Sequence, residues 1–153
     1  MAESQFAYVT YIRATPEKLW QALVEPEFTR QYWFGTTQES EWKPGSPWCI
    51  KFAGGTVADS GEVIEIKPRQ KLVLSWRNEI FPEMTAEGFS RMTYELEQHA
   101  ETVKLTITHR MDRSESRFIK AVSNGWPMIL ASLKSLLETG ESIEGTRLSP
   151  NGM

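Results

Sequence analysis

The run from Asn124 to Gly140 reads NGWPMILASLKSLLETG. Its apolar residues Trp126, Ile129, Leu130, Leu133, Leu136 and Leu137 recur at three- and four-residue steps, so they share one broad helical face. Gly140 supplies the stop. A face this apolar needs a second layer over it, and it closes either an ordinary core or one wall of a ligand cavity. Upstream, the helical pattern begins near Ser114 and is interrupted at Asn124-Gly125. Pro127 has no backbone N–H and crowds the carbonyl of Ser123, so the sequence predicts a kink, or a fresh helix start capped by Ser123 or Asn124.

The second layer is legible in residues 36 to 110, where the period changes to two. The segments TTQESEW, SPWCIKF, VADSGEVIEI, KLVLSWR, FSRMTYELE and TVKLTITHR alternate or carry β-branched residues, and turn signals separate them. Lys43-Pro44-Gly45-Ser46 suits a type II turn and Gly54-Gly55 a tight hairpin. The result is an antiparallel meander. Before it, FAYVTYIR (6–13) reads as a first strand, and Thr15-Pro16-Glu17 starts a helix with Thr15 as N-cap and Pro16 at the first helical position. Leu19, Trp20, Leu23 and Val24 form its expected buried face. Pro26 ends it, and 26–33 makes one or two further turns. NEIFPEMTAEG (78–88) has no clean period and is the longest expected loop, a common neighbour of binding sites. The fold class is therefore α+β: a twisted antiparallel sheet of six to seven strands curled around a long C-terminal helix, with two short helices after the first strand. Residues 1–140 form one domain and 141–153 a flexible tail.

Composition narrows the function classes. At 153 residues, 40% hydrophobic and 24% charged, the chain has ordinary globular usage and can bury a core. Net charge is -3, with lysines and arginines scattered, so no footprint for nucleic acid is visible. No run approaches the roughly 18 apolar residues of a spanning helix, and MAESQFAYVTYIR lacks the pattern of a secretory signal. The cytoplasm is the expected location. The single Cys49 rules out an intrachain disulfide and reads as a small buried hydrophobe. His99, His109 and Cys49 are too scattered for a metal site, and neither a phosphate-binding glycine loop nor a G-x-S-x-G elbow is present, so neither metal nor cofactor is expected.

Three stretches resemble those of one family: Ala14-Thr15-Pro16-Glu17-Lys18-Leu19-Trp20; Gly61-Glu62-Val63-Ile64-Glu65-Ile66 with Pro68 and Leu72 to Trp76; and Gly125-Trp126-Pro127 through Leu130 and Leu133 to Gly140. The chain resembles the SRPBCC superfamily, with its helix-grip (START-like) fold, and within it the small bacterial single-domain relatives of the heat-shock protein 90 ATPase activator homologue. It departs from them at Lys43-Pro44-Gly45-Ser46-Pro47, where relatives often carry a Gly-Gly pair, which would alter one rim of a cavity. The resemblance implies a cavity between the long helix and the concave sheet that takes an apolar or amphipathic molecule, lipid-like or polyketide-like. It also leaves room for a chaperone partner in the stress response, or for a cyclase or hydrolase with His109, Tyr94 or Glu65 carrying protons. Fold alone does not choose among these.

The candidate ligand-binding residues combine large rings with the inward strand positions and the helix stripe: Trp33, Phe34, Trp48, Phe52, Trp76, Met92, Tyr94, His109, Trp126, Ile129, Leu130 and Leu133. Each ring is equally an ordinary core residue, but together they favour a lined cavity with the first half of the helix as one wall. His109 shares a strand face with Val103, Leu105 and Ile107, as a hydrogen-bonded histidine, a ligand contact or an acid-base group. Glu65, Arg77 and Arg91 read as surface charges. The leading expectation is a non-enzymatic small-molecule binding protein.

Overall fold

In the computed structural model, residues 3–147 are described. The strands are β1 (Ser4–Ile12), β2 (Thr37–Ser40), β3 (Pro47–Lys51), β4 (Val57–Lys67), β5 (Lys71–Asn78), β6 (Ser90–His99) and β7 (Thr102–Met111). The helices are α1 (Pro16–Val24), α2 (Pro26–Tyr32), α3 (Pro82–Thr85) and α4 (Arg117–Thr139), followed by a 3-10 turn at Glu144–Thr146. All strand pairs are antiparallel, and the sheet order β1-β7-β6-β5-β4-β3-β2 is a meander whose first strand joins the far edge beside the last. The fold is the expected α+β helix-grip.

Local chemistry accounts for most boundaries. Thr15 Oγ1 accepts the Lys18 N–H at 3.1 Å, and Pro16 opens α1. At Lys43-Pro44-Gly45-Ser46, Gly45 has φ +84° and the Ser46 N–H donates to the Lys43 carbonyl at 2.9 Å, the geometry of a type II turn. Gly61 has a different reason to be glycine: a Cβ there would lie 1.8 Å from the backbone oxygen of Ser75 on the neighbouring strand.

Several expectations are corrected. α4 is one continuous helix, capped by Ser116, whose Oγ accepts the Ile119 N–H at 3.0 Å, and Pro127 lies inside it, so there is no fresh start at Ser123 or Asn124. Burial of Phe118, Ile119 and Trp126 on one side of the proline and Ile129, Leu130 and Leu133 on the other holds the helix together across the missing hydrogen bond. The 78–88 loop contains the single turn α3. On α1 the buried face is Leu19, Ala22 and Leu23, with Trp20 and Val24 only half-buried. Cys49 is half-buried. The chain after Gly140 is not free as far as Arg147: Thr146 is fully buried, its Oγ1 lies 2.6 Å from Ser132 Oγ on α4, and its carbonyl accepts the Phe34 N–H. The rest of the expected tail, 148–153, lies outside the described residues.

Candidate functional site

The inward faces of β3 to β7 and the C-terminal half of α4 are closed to solvent. Trp48, Met92, Tyr94, His109, Leu130 and Leu133 are all at most 2% exposed. Space opens instead at one end of the helix, where a cavity of about 210 Å³ lies between the first half of α4 (Phe118, Val122, Gly125, Trp126, Ile129), the ends of β4 and β5 (Asp59, Trp76, Asn78), the α3 segment (Phe81, Met84) and Trp33. Of the sequence candidates, Trp33, Trp76, Trp126 and Ile129 meet there. Phe34 and Phe52 are half-buried and lie outside its lining. The Lys43 to Pro47 turn does not reach it either.

Three indoles build the wall. Trp33 stacks on Trp76 with ring centroids 6.0 Å apart and meets Trp126 edge-on at 5.2 Å, while Trp76 and Trp126 lie 5.7 Å apart. The Trp126 indole and the Trp76 backbone are fixed from behind. Trp126 Nε1 donates to His109 Nδ1 at 3.2 Å; because an indole nitrogen only donates, Nδ1 carries no proton and the imidazole is the neutral Nε2–H tautomer. Nε2 then donates to Ser90 Oγ at 2.8 Å, and Ser90 Oγ donates to the Trp76 carbonyl at 2.8 Å. The relay runs in one direction from helix to sheet, with every member satisfied. Burial pushes the His109 pKa down to about 3. Both ring nitrogens are engaged behind the wall, so this histidine is a strut for Trp126 and not an acid-base group facing the cavity.

The polar group on the cavity is one that sequence reasoning missed. Asp59 is half-buried on β4, and its Oδ2 accepts the Trp76 Nε1–H at 2.8 Å. Burial raises its carboxyl to about 6; the Trp76 hydrogen bond opposes the rise, and the nearby Glu79 charge adds to it. None of the ion pairs among the described residues includes Asp59. Tyr94, a candidate proton carrier, has a buried hydroxyl without a hydrogen-bond partner among the described residues, and its pKa is raised well above the ordinary value by burial, the neighbouring Tyr32 adding to the rise. Glu65 pairs with Lys67 and Lys71 on the outer face, and Arg77 with Glu79. Among the described residues no group of three or more His, Cys, Asp or Glu is arranged to hold a metal ion.

A second carboxylate ties the α3 segment to α4. Glu87, in the segment between α3 and β6, accepts from Ser116 Oγ at 2.5 Å and from the backbone N–H of Arg117 at 2.8 Å, so the α3 segment is fastened to the start of α4. Burial pushes its pKa up, but these hydrogen bonds to the ionised form, with that of the Phe118 N–H, outweigh it and hold the carboxyl below the usual range.

The model of the activator of Hsp90 ATPase homolog 1-like protein family matches residues 13–138. The chain belongs to that family. Among solved structures, the chain is similar to MLL2253 from Mesorhizobium loti (TM-score 0.75, 23% identity, covering 88% of this chain and 97% of that one). It is similar also to the Aha1 dimer from Colwellia psychrerythraea (0.73, 21%, covering 91% and 99%) and to ChR145 from Cytophaga hutchinsonii (0.70, 29%, covering 90% and 95%). No curated protein sequence matches the chain. The matched span runs from Arg13 almost to the end of α4 and so contains every residue lining the cavity. Among the described residues no helix is long and apolar enough to cross a membrane.

Proposed function

We propose that this protein binds a small, largely apolar molecule in the cavity at the N-terminal half of α4, without transforming it. The observation that carries the reading is the cavity's composition: three indoles with Phe81, Met84 and Phe118 around one carboxylate. The family's fold supports ligand binding in general. Size narrows the ligand class. An apolar cavity of about 150 Å³ holds a benzene ring, and drug-sized ligands take about 300 Å³ or more. At about 210 Å³ the space suits one or two fused rings, or a compact branched chain, and not the long acyl chain that an open groove along the whole helix would accept. A binding role fits better than catalysis because none of the three proton carriers considered from sequence lines the cavity: His109 and Tyr94 lie behind the wall, and Glu65 is paired with Lys67 and Lys71.

Titration with naphthalene-sized aromatics, read by tryptophan emission, tests this directly. Binding should be near one-to-one, and a fatty acid should produce no comparable change. Gly125→Leu is the matching variant: the glycine lines the cavity, a Cβ there meets nothing within 4 Å, and leucine favours the helix while filling the space. A folded Gly125→Leu protein that binds as tightly as the wild type, or a wild type that binds none of the aromatics, would overturn the reading.

A further inference from the structure

The carboxylate on the cavity wall has hydrogen-bond donors but no counter-charge. An ionised group placed among rings is costly unless an opposite charge compensates it. The neighbours do not supply one. On β5, Arg77 Nε is committed to Glu79 at 2.8 Å, and Glu79 adds negative potential. The residues that α3 and α4 contribute to the lining are uncharged. On β7, His109 is the neutral tautomer. The rings of Trp33, Trp76 and Trp126 line the same cavity, and an aromatic face turned toward a cation attracts it through the ring quadrupole.

We infer that the ligand is a small organic cation, an aromatic or compact alkyl ammonium whose positive nitrogen pairs with Asp59 and packs against the three indoles. This rests on the binding reading above and gives it a ligand class. Two attractions then act together where the bare cavity offers only burial, and the ion pair orients the ligand with its apolar part toward Phe118 and Met84. An anionic ligand of the same shape is rejected by Asp59 and by Glu79 beyond it. The raised pKa of Asp59 fits this picture, because a cation in the cavity favours the ionised carboxylate that burial disfavours.

The test uses two probes of the same shape, phenyltrimethylammonium and tert-butylbenzene, which differ in a charged nitrogen against a neutral carbon. At pH 7.5 the cation should bind about tenfold more tightly or better. Asp59→Asn keeps an acceptor for Trp76 Nε1 and should abolish that preference, so that the two probes bind the variant alike. Because the cation does not titrate, its affinity for the wild type should fall as pH drops below about 6, the carboxyl's value, while the neutral probe's affinity stays level. This pH profile needs no variant and stands even if Asp59→Asn folds poorly. Equal binding of the two probes by the wild type would overturn the cation inference and leave the cavity reading standing. Failure of both probes, together with the neutral aromatics, would remove the cavity reading and the inference with it.

Discussion

The two halves of α4 are built on different terms. From Leu130 to Thr139 the helix contains neither glycine nor proline, buries Leu130, Leu133 and Leu136, and ends on Gly140 at φ +88°. From Arg117 to Ile129 it carries Asn124, Gly125 and Pro127, each a poor helix-interior residue, and borders the cavity. The C-terminal half is also fastened to the first strand and its exit, through Lys134 Nζ to the Tyr11 carbonyl and the Arg13 N–H to Glu138 at 2.8 Å. The N-terminal half buries Phe118, Ile119 and Trp126 and is tied by the hydrogen bonds of Glu87 and His109 and by that of the Ser116 N–H to Ser4 Oγ. One half is optimised for packing, and the other keeps open space at a cost in stability, as binding sites commonly do.

The sharpest way to break this contrast is truncation at matched positions. Leu133 is fully buried in the filled half, so Leu133→Ala should cost about 3–5 kcal/mol, the removed volume becoming a closed void. Ile129 borders the existing cavity, and Ile129→Ala should cost about 2 kcal/mol because the new space merges with what is already open. Denaturant midpoints at constant m-value measure both. Equal losses would show that the two halves are packed alike.

Next in size is the strut. His109→Leu fills similar volume but leaves the Trp126 indole N–H buried without an acceptor, and should cost about 2–3 kcal/mol. The diagnostic is the pair: His109→Leu with Trp126→Phe should be less destabilising than the sum of the single changes, since the orphaned donor is then gone. Additive losses would mean that the hydrogen bond does not hold Trp126 in place.

The contrast also says which parts could be read from sequence. The strands were legible because alternation is sustained over FSRMTYELE and TVKLTITHR, where β6 and β7 bury every second residue from Ser90 to Leu96 and from Val103 to His109. The start of α1 was legible from Thr15-Pro16, since cap chemistry is local. The choice between a helix that continues through Pro127 and a fresh start was not, because continuity depends on burial contributed by residues on both sides of the proline. Asp59 stayed hidden for a different reason. In VADSGEVIEI apolar residues fall at both parities, and β4 has register shifts opposite Ile50/Lys51 and between Val63 and Glu65, so no single phase says which way its carboxylate points. A list of rings cannot tell those that fill a core from those that face a gap.

Pro127 tests the weak half with opposite sign. Pro127→Ala restores a backbone donor for the Ser123 carbonyl. A helix-interior proline costs about 3 kcal/mol relative to alanine, and about 1 kcal/mol or more is returned by the stiffer unfolded chain and by local adjustment. A net gain of about 1–2 kcal/mol is expected, seen as a melting point higher by several degrees. An unchanged or lowered melting point would show that the proline is matched to the wall it helps to form.

The smallest effect concerns Asp59 and has a sign that sets it apart from the other carboxylates. Its folded pKa of about 6 lies above the ordinary value for an aspartate, so between about pH 4 and pH 6 the folded protein binds a proton that the unfolded chain does not. Stability from this group therefore rises as pH falls through that window, and above it the buried charge is a penalty. Glu87 runs the other way: its lowered pKa adds stability above the unfolded value that is lost as pH falls through the folded one. Comparing wild type with Asp59→Asn cancels Glu87 and isolates the cavity carboxylate. Because Asp59 is only half-buried, the full shift should not convert, and Asp59→Asn should be more stable than wild type by about 1 kcal/mol at pH 7.5. The gap should close by about pH 4, where the wild-type carboxyl is protonated as well. Chemical denaturation at several pH values reads both the gap and its closure. A variant that is less stable at pH 7.5 would mean that the carboxylate is already compensated within the fold, and the open half of α4 would then carry no charge waiting for a ligand.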